Sequence, residues 1–284
     1  MAPVITLTTD FGTGDAYVAS MKGVILSINP RAAIVDICHS VEPQNIPQAA
    51  FIISTAHHYF PEGTIHVAIV DPGVGSQRKA IVLRTPSAFF VAPDNGVLSY
   101  IVDELCPASA RPPGPISPNL EQRELGADLE AVAITNPDFW RQPVSATFHG
   151  RDIFAPVAAH LSLGMPLDKL GESASCLHTF PILRPYHDAE GNLVGRIFHI
   201  DNFGNLITNI RKGDLPAEEV TIAIGGQHIH GVSQFYAQTE GLAAIVGSSG
   251  YLEISLRNGN AASSLGIKVG DEIKLNRNNK AEGE

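Results

Sequence analysis

The sequence predicts an α/β protein in two parts: a Rossmann-like wound-sheet domain over residues 1–184 and a smaller antiparallel β-barrel over residues 192–284. Three observations predict it. Strand and helix periodicities alternate through the first half. Short alternating strands, separated by glycine and asparagine turns, fill the last third. A polar connector from Arg184 to Asn192 stands between the two regimes.

In the first part, a β-rich run over residues 4–8 leads into Asp10-Phe11-Gly12-Thr13-Gly14-Asp15. Residues 16–28 follow with helical spacing (Val18, Met21, Ile25, Ile28) and stop at Asn29-Pro30. Residues 33–37 read as a second strand and 46–59 as a second helix, with Pro47 tolerable in its first turn. Residues 64–70 form a third strand that ends at Asp71, and this rhythm implies a parallel sheet wound by helices. Residues 80–85 and 88–92 read as adjacent strands, the second running into an Asn95-Gly96 turn. The proline- and serine-rich stretch 107–118 reads as a surface excursion, and 151–163 as a helix that closes at Gly164. In the second part, strands are expected at 193–200, 206–210, 220–224, 242–246, 251–256 and 272–275.

Bulk properties exclude several function classes. A formal charge of −10 without any Lys/Arg run argues against nucleic acid, which needs clustered cations. No apolar run approaches the roughly 18–20 residues of a membrane span. The N-terminal residues read directly as a strand, not as a signal peptide. Cys38, Cys106 and Cys176 form neither a zinc pattern nor a disulfide framework, so a cytoplasmic protein with reduced thiols is expected. His57-His58 and His228-x-His230 lack a carboxylate or cysteine at ligand spacing, so neither metal nor cofactor is expected. No Gly-x-Ser-x-Gly elbow supports a serine hydrolase.

Two segments carry the best chemistry: Val70-Asp71-Pro72-Gly73-Val74-Gly75-Ser76-Gln77-Arg78 and Thr147-Phe148-His149-Gly150-Arg151-Asp152. Both read as glycine-rich turns at strand or helix ends, where wound sheets place ligands. Asp71, Arg78 and His149 supply a carboxylate, a guanidinium and an imidazole, enough to position and activate water. Each also has a plain structural reading, as a turn aspartate, a solvated arginine and a half-buried histidine. Asp10 reads equally as a helix-capping aspartate or as a carboxylate gripping ribose hydroxyls. Gly12-x-Gly14-x-x-Tyr17 lacks the third glycine of a dinucleotide fingerprint. In the β-rich part, Asp201-Asn202-Phe203-Gly204-Asn205 and Gly247-Ser248-Ser249-Gly250 are either ordinary β-turns or contacts for an ammonium, a purine and a carboxylate.

Taken in order, these segments resemble the S-adenosylmethionine hydrolase (adenosine-forming) family, whose relatives include fluorinating and chlorinating enzymes. The resemblance runs from Thr8-Thr9-Asp10-Phe11-Gly12 through residues 70–79, 148–156 and 201–210 to 248–254. It implies a homotrimer with active sites between subunits. It implies catalytic roles for Asp71, Arg78 and His149. Substrate contacts are implied for Asp10, Asp15, Phe148, Asp201, Phe203, Asn205, Ser248 and Ser249. Within them Asp10 falls to the ribose, Asp201 to the methionine ammonium, Phe203 and Asn205 to the adenine, and Ser248 to the methionine carboxylate. In the fluorinating branch the positions of Asp71 and His149 look like tyrosines and that of Gly150 is a halide-holding serine. Ser249 stands where that branch carries an arginine. The intact trio and Gly150 imply hydrolysis at C5′ to adenosine and methionine, without metal. Halogenation and non-catalytic binding of S-adenosylmethionine or adenosine are the alternatives.

Overall fold

The computed structural model describes residues 2–107 and 119–277. They divide into two units that part between Ile182 and Leu183. Most of the expected excursion at 107–118 lies outside the described residues.

The first unit is built on strands β1 (Val4–Thr9), β2 (Ala33–Cys38), β3 (Thr64–Ile69), β4 (Ala80–Arg84), β5 (Ala88–Pro93), β7 (Glu130–Ile134) and β8 (Gly171–Ala174). A separate antiparallel pair is made by β6 (Glu121–Glu124) and β9 (Cys176–Thr179). The main sheet has the order β2-β1-β3-β5-β4-β7-β8 and is mixed. β1 is parallel to β2 and β3, as expected from the helical crossovers, and β3 is also parallel to β5. β4 runs antiparallel to β5 and β7, and β7 to β8. The cause is local, since the link between Arg84 and Ala88 is a tight turn and a parallel crossover needs a dozen residues or more.

Four helices cover the sheet: α1 (Tyr17–Ile28), α2 (Ile46–Ala56), α3 (Ser99–Leu105) and α4 (Ala155–Ser162). Side chains alternate along β3, so Val67 and Ile69 pack with Met21 and Ile25 of α1 and Val157 of α4. Ala68 and Val70 face the opposite core with Ile53 of α2 and Ile101 of α3. The Asn45 side chain caps α2 by accepting from Gln48 N–H at 3.0 Å. The helix expected over 46–59 ends at Ala56 and tightens into a 3₁₀ turn over His57–Tyr59. The helix expected over 151–163 opens as a π-helical turn, Gly150–Phe154, before α4.

The second unit contains β10 (Tyr186–His187), β11 (Leu193–Ile200), β12 (Leu206–Arg211), β13 (Val220–Ile224), β14 (Gln227–His230), β15 (Leu242–Val246), β16 (Tyr251–Leu256), β17 (Glu272–Arg277) and the short helix α5 (Ala261–Leu265). Its antiparallel order is β14-β13-β17-β11-β12-β16-β15, with β10 against β11. A bridge from Ser233 to Ile245 brings the chain after β14 back to β15, so the sheet is a nearly closed barrel. Inward residues from alternating positions, among them Ile197, Ile210, Ile222, Leu252 and Ile273, fill it.

Candidate active site

The parallel register pairs Thr9 of β1 with Ile69 of β3, so Asp10 and Asp71 leave the sheet at the same carboxyl edge. The Asp10 carboxylate accepts the Gln44 N–H at 2.8 Å, and Asp15 lies on the exposed turn before α1. Beneath Asp71, the Asn95 amide donates to the Val70 carbonyl at 2.8 Å. The Asn95-Gly96 turn is therefore also a strut for the strand end that presents Asp71.

Arg78 returns along the turn after β3 and donates Nε–H to both Asp71 oxygens at 2.9 Å, while its Nη2 donates to Oδ2. Both side chains are nearly buried, at 11% exposure for Arg78 and 5% for Asp71. The guanidinium also lies 5.2 Å from the Phe154 ring centroid. Its Nη2 reaches Nδ1 of His149 at 3.1 Å. A guanidinium only donates, so Nδ1 accepts and the neutral ring carries its proton on Nε2. Burial, and then the Arg78 charge, hold His149 below the usual histidine range, against the pull of Asp71 and Asp152.

Two glycines permit this convergence of distant segments. Gly75 has φ +79, and a Cβ there would come 3.1 Å from the Ala146 carbonyl oxygen. The turn carrying Arg78 thus lies directly against the loop carrying His149. At Gly150 a Cβ would meet Met21 Sδ and Phe148 at 3.3 Å and Phe11 at 3.4 Å. Phe148 sits edge-on to Phe11 and Tyr17, with ring centroids 5.8 and 5.2 Å away. The loop itself is anchored by Asp152, which is fully buried. It accepts Arg151 Nε–H at 2.7 Å, Arg151 Nη2–H at 2.8 Å and the Ser145 N–H at 2.8 Å. Burial raises the Asp152 carboxyl, but Arg151 and Ser145 outweigh it and the net shift is downward.

In the second unit, Asp201 closes the β11–β12 turn. Its Oδ1 accepts the N–H groups of Phe203 and Asn205, both at 2.9 Å, and its Oδ2 accepts the Asn205 amide at 2.9 Å. Phe203 stands 74% exposed at the tip. Gly204 is at φ +83, and a Cβ there would also overlap the Asn260 side chain. Ser248 and Ser249 lie on the β15–β16 turn, closed by the Gly250 N–H to the Gly247 carbonyl at 3.0 Å. Glu253 links the two turns. It pairs with Ile207 in the ladder, accepts the Tyr236 hydroxyl, and fills the space where a Gly247 Cβ would come 2.2 Å from Oε2. Burial first, and then the charge of Asp201, raise the Glu253 carboxyl.

The N-terminal domain model of the SAM hydroxide adenosyltransferase family matches residues 5–171, and its C-terminal domain model matches residues 195–274. The chain belongs to the SAM hydroxide adenosyltransferase family. Among its relatives, an (R)-S-adenosyl-L-methionine hydrolase of Methanocaldococcus jannaschii is 34% identical over 289 residues, spanning 96% of this chain and 95% of that protein. A fluorinase of Nocardia brasiliensis is 27% identical over 312 residues, with 96% of each chain covered. The crystal structure of an uncharacterized conserved protein from Thermotoga maritima superposes with a TM-score of 0.81 at 35% identity, covering 96% of this chain and all of that one.

Of the residues singled out in the sequence of this SAM hydroxide adenosyltransferase family member, the structure joins Asp71, Arg78 and His149 directly. It places Asp10 on the same sheet edge and Phe148 beside His149. Asp201, Phe203 and Asn205 share one turn of the second unit, and Ser248 and Ser249 another. Asp152, Tyr236 and Glu253 have no role assigned on sequence alone. The Arg-Asp pair after Gly150 was a readable signal, whereas Tyr236 and Glu253 meet only through the barrel.

Proposed function

We propose that the chain hydrolyses S-adenosyl-L-methionine at C5′, giving adenosine and methionine. The observation that carries this is the contact series Asp71–Arg78–His149 at the carboxyl edge of the sheet, in a chain of this family. Water oxygen bonds to C5′ as the C5′–S bond breaks, and the bonding pair leaves with sulfur as a neutral thioether. No acid is needed on the leaving side. The demanding step is the nucleophile, because free water has a pKa of about 15.7. Arg78 supplies the fixed positive charge that favours hydroxide, and the Nε2–H of His149 orients the oxygen. Since Nδ1 of His149 already accepts from Arg78, the remaining lone pairs of Asp71 take the water proton.

On this reading Asp10 and Asp15 contact the substrate from the first unit and Phe148 lines the reacting carbon. Asp201 takes the methionine ammonium, Phe203 and Asn205 the adenine, and Ser248 and Ser249 the methionine carboxylate. A homotrimer with active sites between subunits rests on the family resemblance, and three free cysteines fit a cytoplasmic setting. Hydrolysis is favoured over halogenation by Gly150, where a halide-holding side chain would require Met21, Phe148 and Phe11 to give by a few tenths of an ångström. The names of the hydrolase relatives point to the R epimer at sulfur.

The test is incubation with each sulfonium epimer, with and without chloride, fluoride or chelator, followed by chromatography. Adenosine and methionine from the R epimer, unaffected by halide or chelator, are expected. A 5′-halo product, or bound substrate with no conversion, overturns the reading.

A further inference from the structure

We propose that His57, His58 and Glu104 form a peripheral binding site for a borderline divalent metal ion such as zinc. In the sequence the two histidines lack a third donor nearby, and the fold supplies it. The 3₁₀ turn His57–Tyr59 ends α2, and Glu104 is the penultimate residue of α3 on the same side of the sheet. Consecutive residues of a helical turn ordinarily point their side chains apart by about 100–120°. Here the two imidazole rings instead lie side by side, with centroids 3.7 Å apart and planes tilted by 38°. Both Nε2 atoms therefore face one carboxylate oxygen: His58 Nε2 lies 3.3 Å and His57 Nε2 3.7 Å from Glu104 Oε2. The three donor atoms lie within 4.8 Å of one another, the one such group among the described residues.

The two histidine–carboxylate spacings, 3.3 and 3.7 Å, are close to those around a tetrahedral ion. Zn–N and Zn–O bonds of about 2.0–2.2 Å place neighbouring ligand atoms roughly 3.3–3.6 Å apart. Two imidazoles and a carboxylate form a usual donor set for zinc, with water in the fourth position. A second observation points the same way. The His57 side chain is only 9% exposed, and its Nε2 is buried with no hydrogen-bond partner among the described residues. An unsatisfied buried nitrogen is costly, and an ion held with His58 and Glu104 satisfies it.

The site is not the reaction centre. α2 ends where β3 begins, and His57 packs edge-on against His66, with ring centroids 6.1 Å apart. Asp71 lies further along that strand, about 16 Å by strand rise. The ion would tie the end of α2 to α3 at the amino edge of the sheet. The inference does not depend on the proposed hydrolysis.

The test uses untagged, chelator-stripped protein titrated with zinc by calorimetry and with cobalt by visible absorption. One equivalent should bind and raise Tm. Removing one of the three ligands, by His58→Ala or Glu104→Gln, should weaken that equivalent by about tenfold or more. Both side chains are about half exposed, so the variants should keep the parent circular dichroism. Turnover should match in stripped, zinc-loaded and His58→Ala protein. Absence of stoichiometric binding, or binding that both substitutions leave unchanged, overturns the proposal.

Discussion

Arg78 Nη2 lies 3.1 Å from Nδ1 of His149, so a permanent cation faces the acceptor nitrogen of the imidazole. Protonating His149 would set two cations against each other in a half-buried site, after the cost of burial has already been met. The ring therefore stays neutral below its ordinary value of about 6.5. The acid limb of kcat/KM should accordingly fall below pH 6.5. A limb centred at or above 6.5, absent in His149→Gln, would show that Arg78 does not govern the imidazole.

The same guanidinium makes the side-on pair with Asp71, and lysine cannot reproduce that fork. Arg78→Lys should lower kcat by about 10²–10³-fold, in the range of a lost transition-state donor. Substrate affinity, which the other contacts supply, should change little in calorimetry. Asp71→Asn should cost a similar factor, and the double variant should cost much less than the product of the two. Fully multiplicative losses would mean that the residues act separately.

Gly75 holds the Arg78 turn against the Ala146 carbonyl at φ +79. Gly75→Ala combines a disfavoured backbone region with a contact against rigid backbone, of the order of 1–3 kcal/mol. The expected result is a folded protein with Tm lowered by a few degrees and kcat reduced about tenfold or more. A variant with parental turnover would show that the Arg78–His149 distance tolerates movement of the turn.

Much of this arrangement was legible in the sequence, because the informative patterns were local. Alternation predicted β11, β13, β15 and β16 to their ends. The strand-then-Asp pattern at Asp10 and Asp71 predicted their common edge. What escaped depended on non-local pairing. β7 and β8 are short and gain their place only by extending β4 outward. α3 has seven residues, too few for a clear period. Asp152 read as part of a helix start, yet its partners Arg141 and Ser145 are earlier in the loop. Glu104 sits far along the chain from the histidine pair it faces, a separation no spacing rule spans.

In the second unit, Tyr236 donates to the buried Glu253, and Asp201 adds a second acidic group to the same region. Tyr236→Phe removes the donor and leaves a buried carboxyl without it. On the proposed reading this loosens the turns that bind methionine and adenine but leaves Asp71, Arg78 and His149 intact. KM should therefore rise about tenfold while kcat changes less than threefold. The opposite split, with kcat lost and KM kept, would place Tyr236 in the chemical step.

His66 carries the clearest stability prediction. It is 1% exposed on β3, stacked on Phe90 with ring centroids 5.1 Å apart, and its Nδ1 lies 2.8 Å from Thr6 Oγ1. Burial, and then the neighbouring His57, push it down to about 3. The unfolded chain takes up this proton near pH 6.5 and the folded chain only near pH 3, so the unfolded state binds more protons between those values. The stabilisation is complete above pH 6.5 and is lost progressively as pH falls toward 3. Between pH 7.5 and 4.5 the linkage amounts to about 2–3 kcal/mol for this group. Urea unfolding at the two pH values should show that loss in the parent and a correspondingly flatter dependence in His66→Phe. Equal pH slopes in the two proteins would mean that the imidazole gains its proton without unfolding.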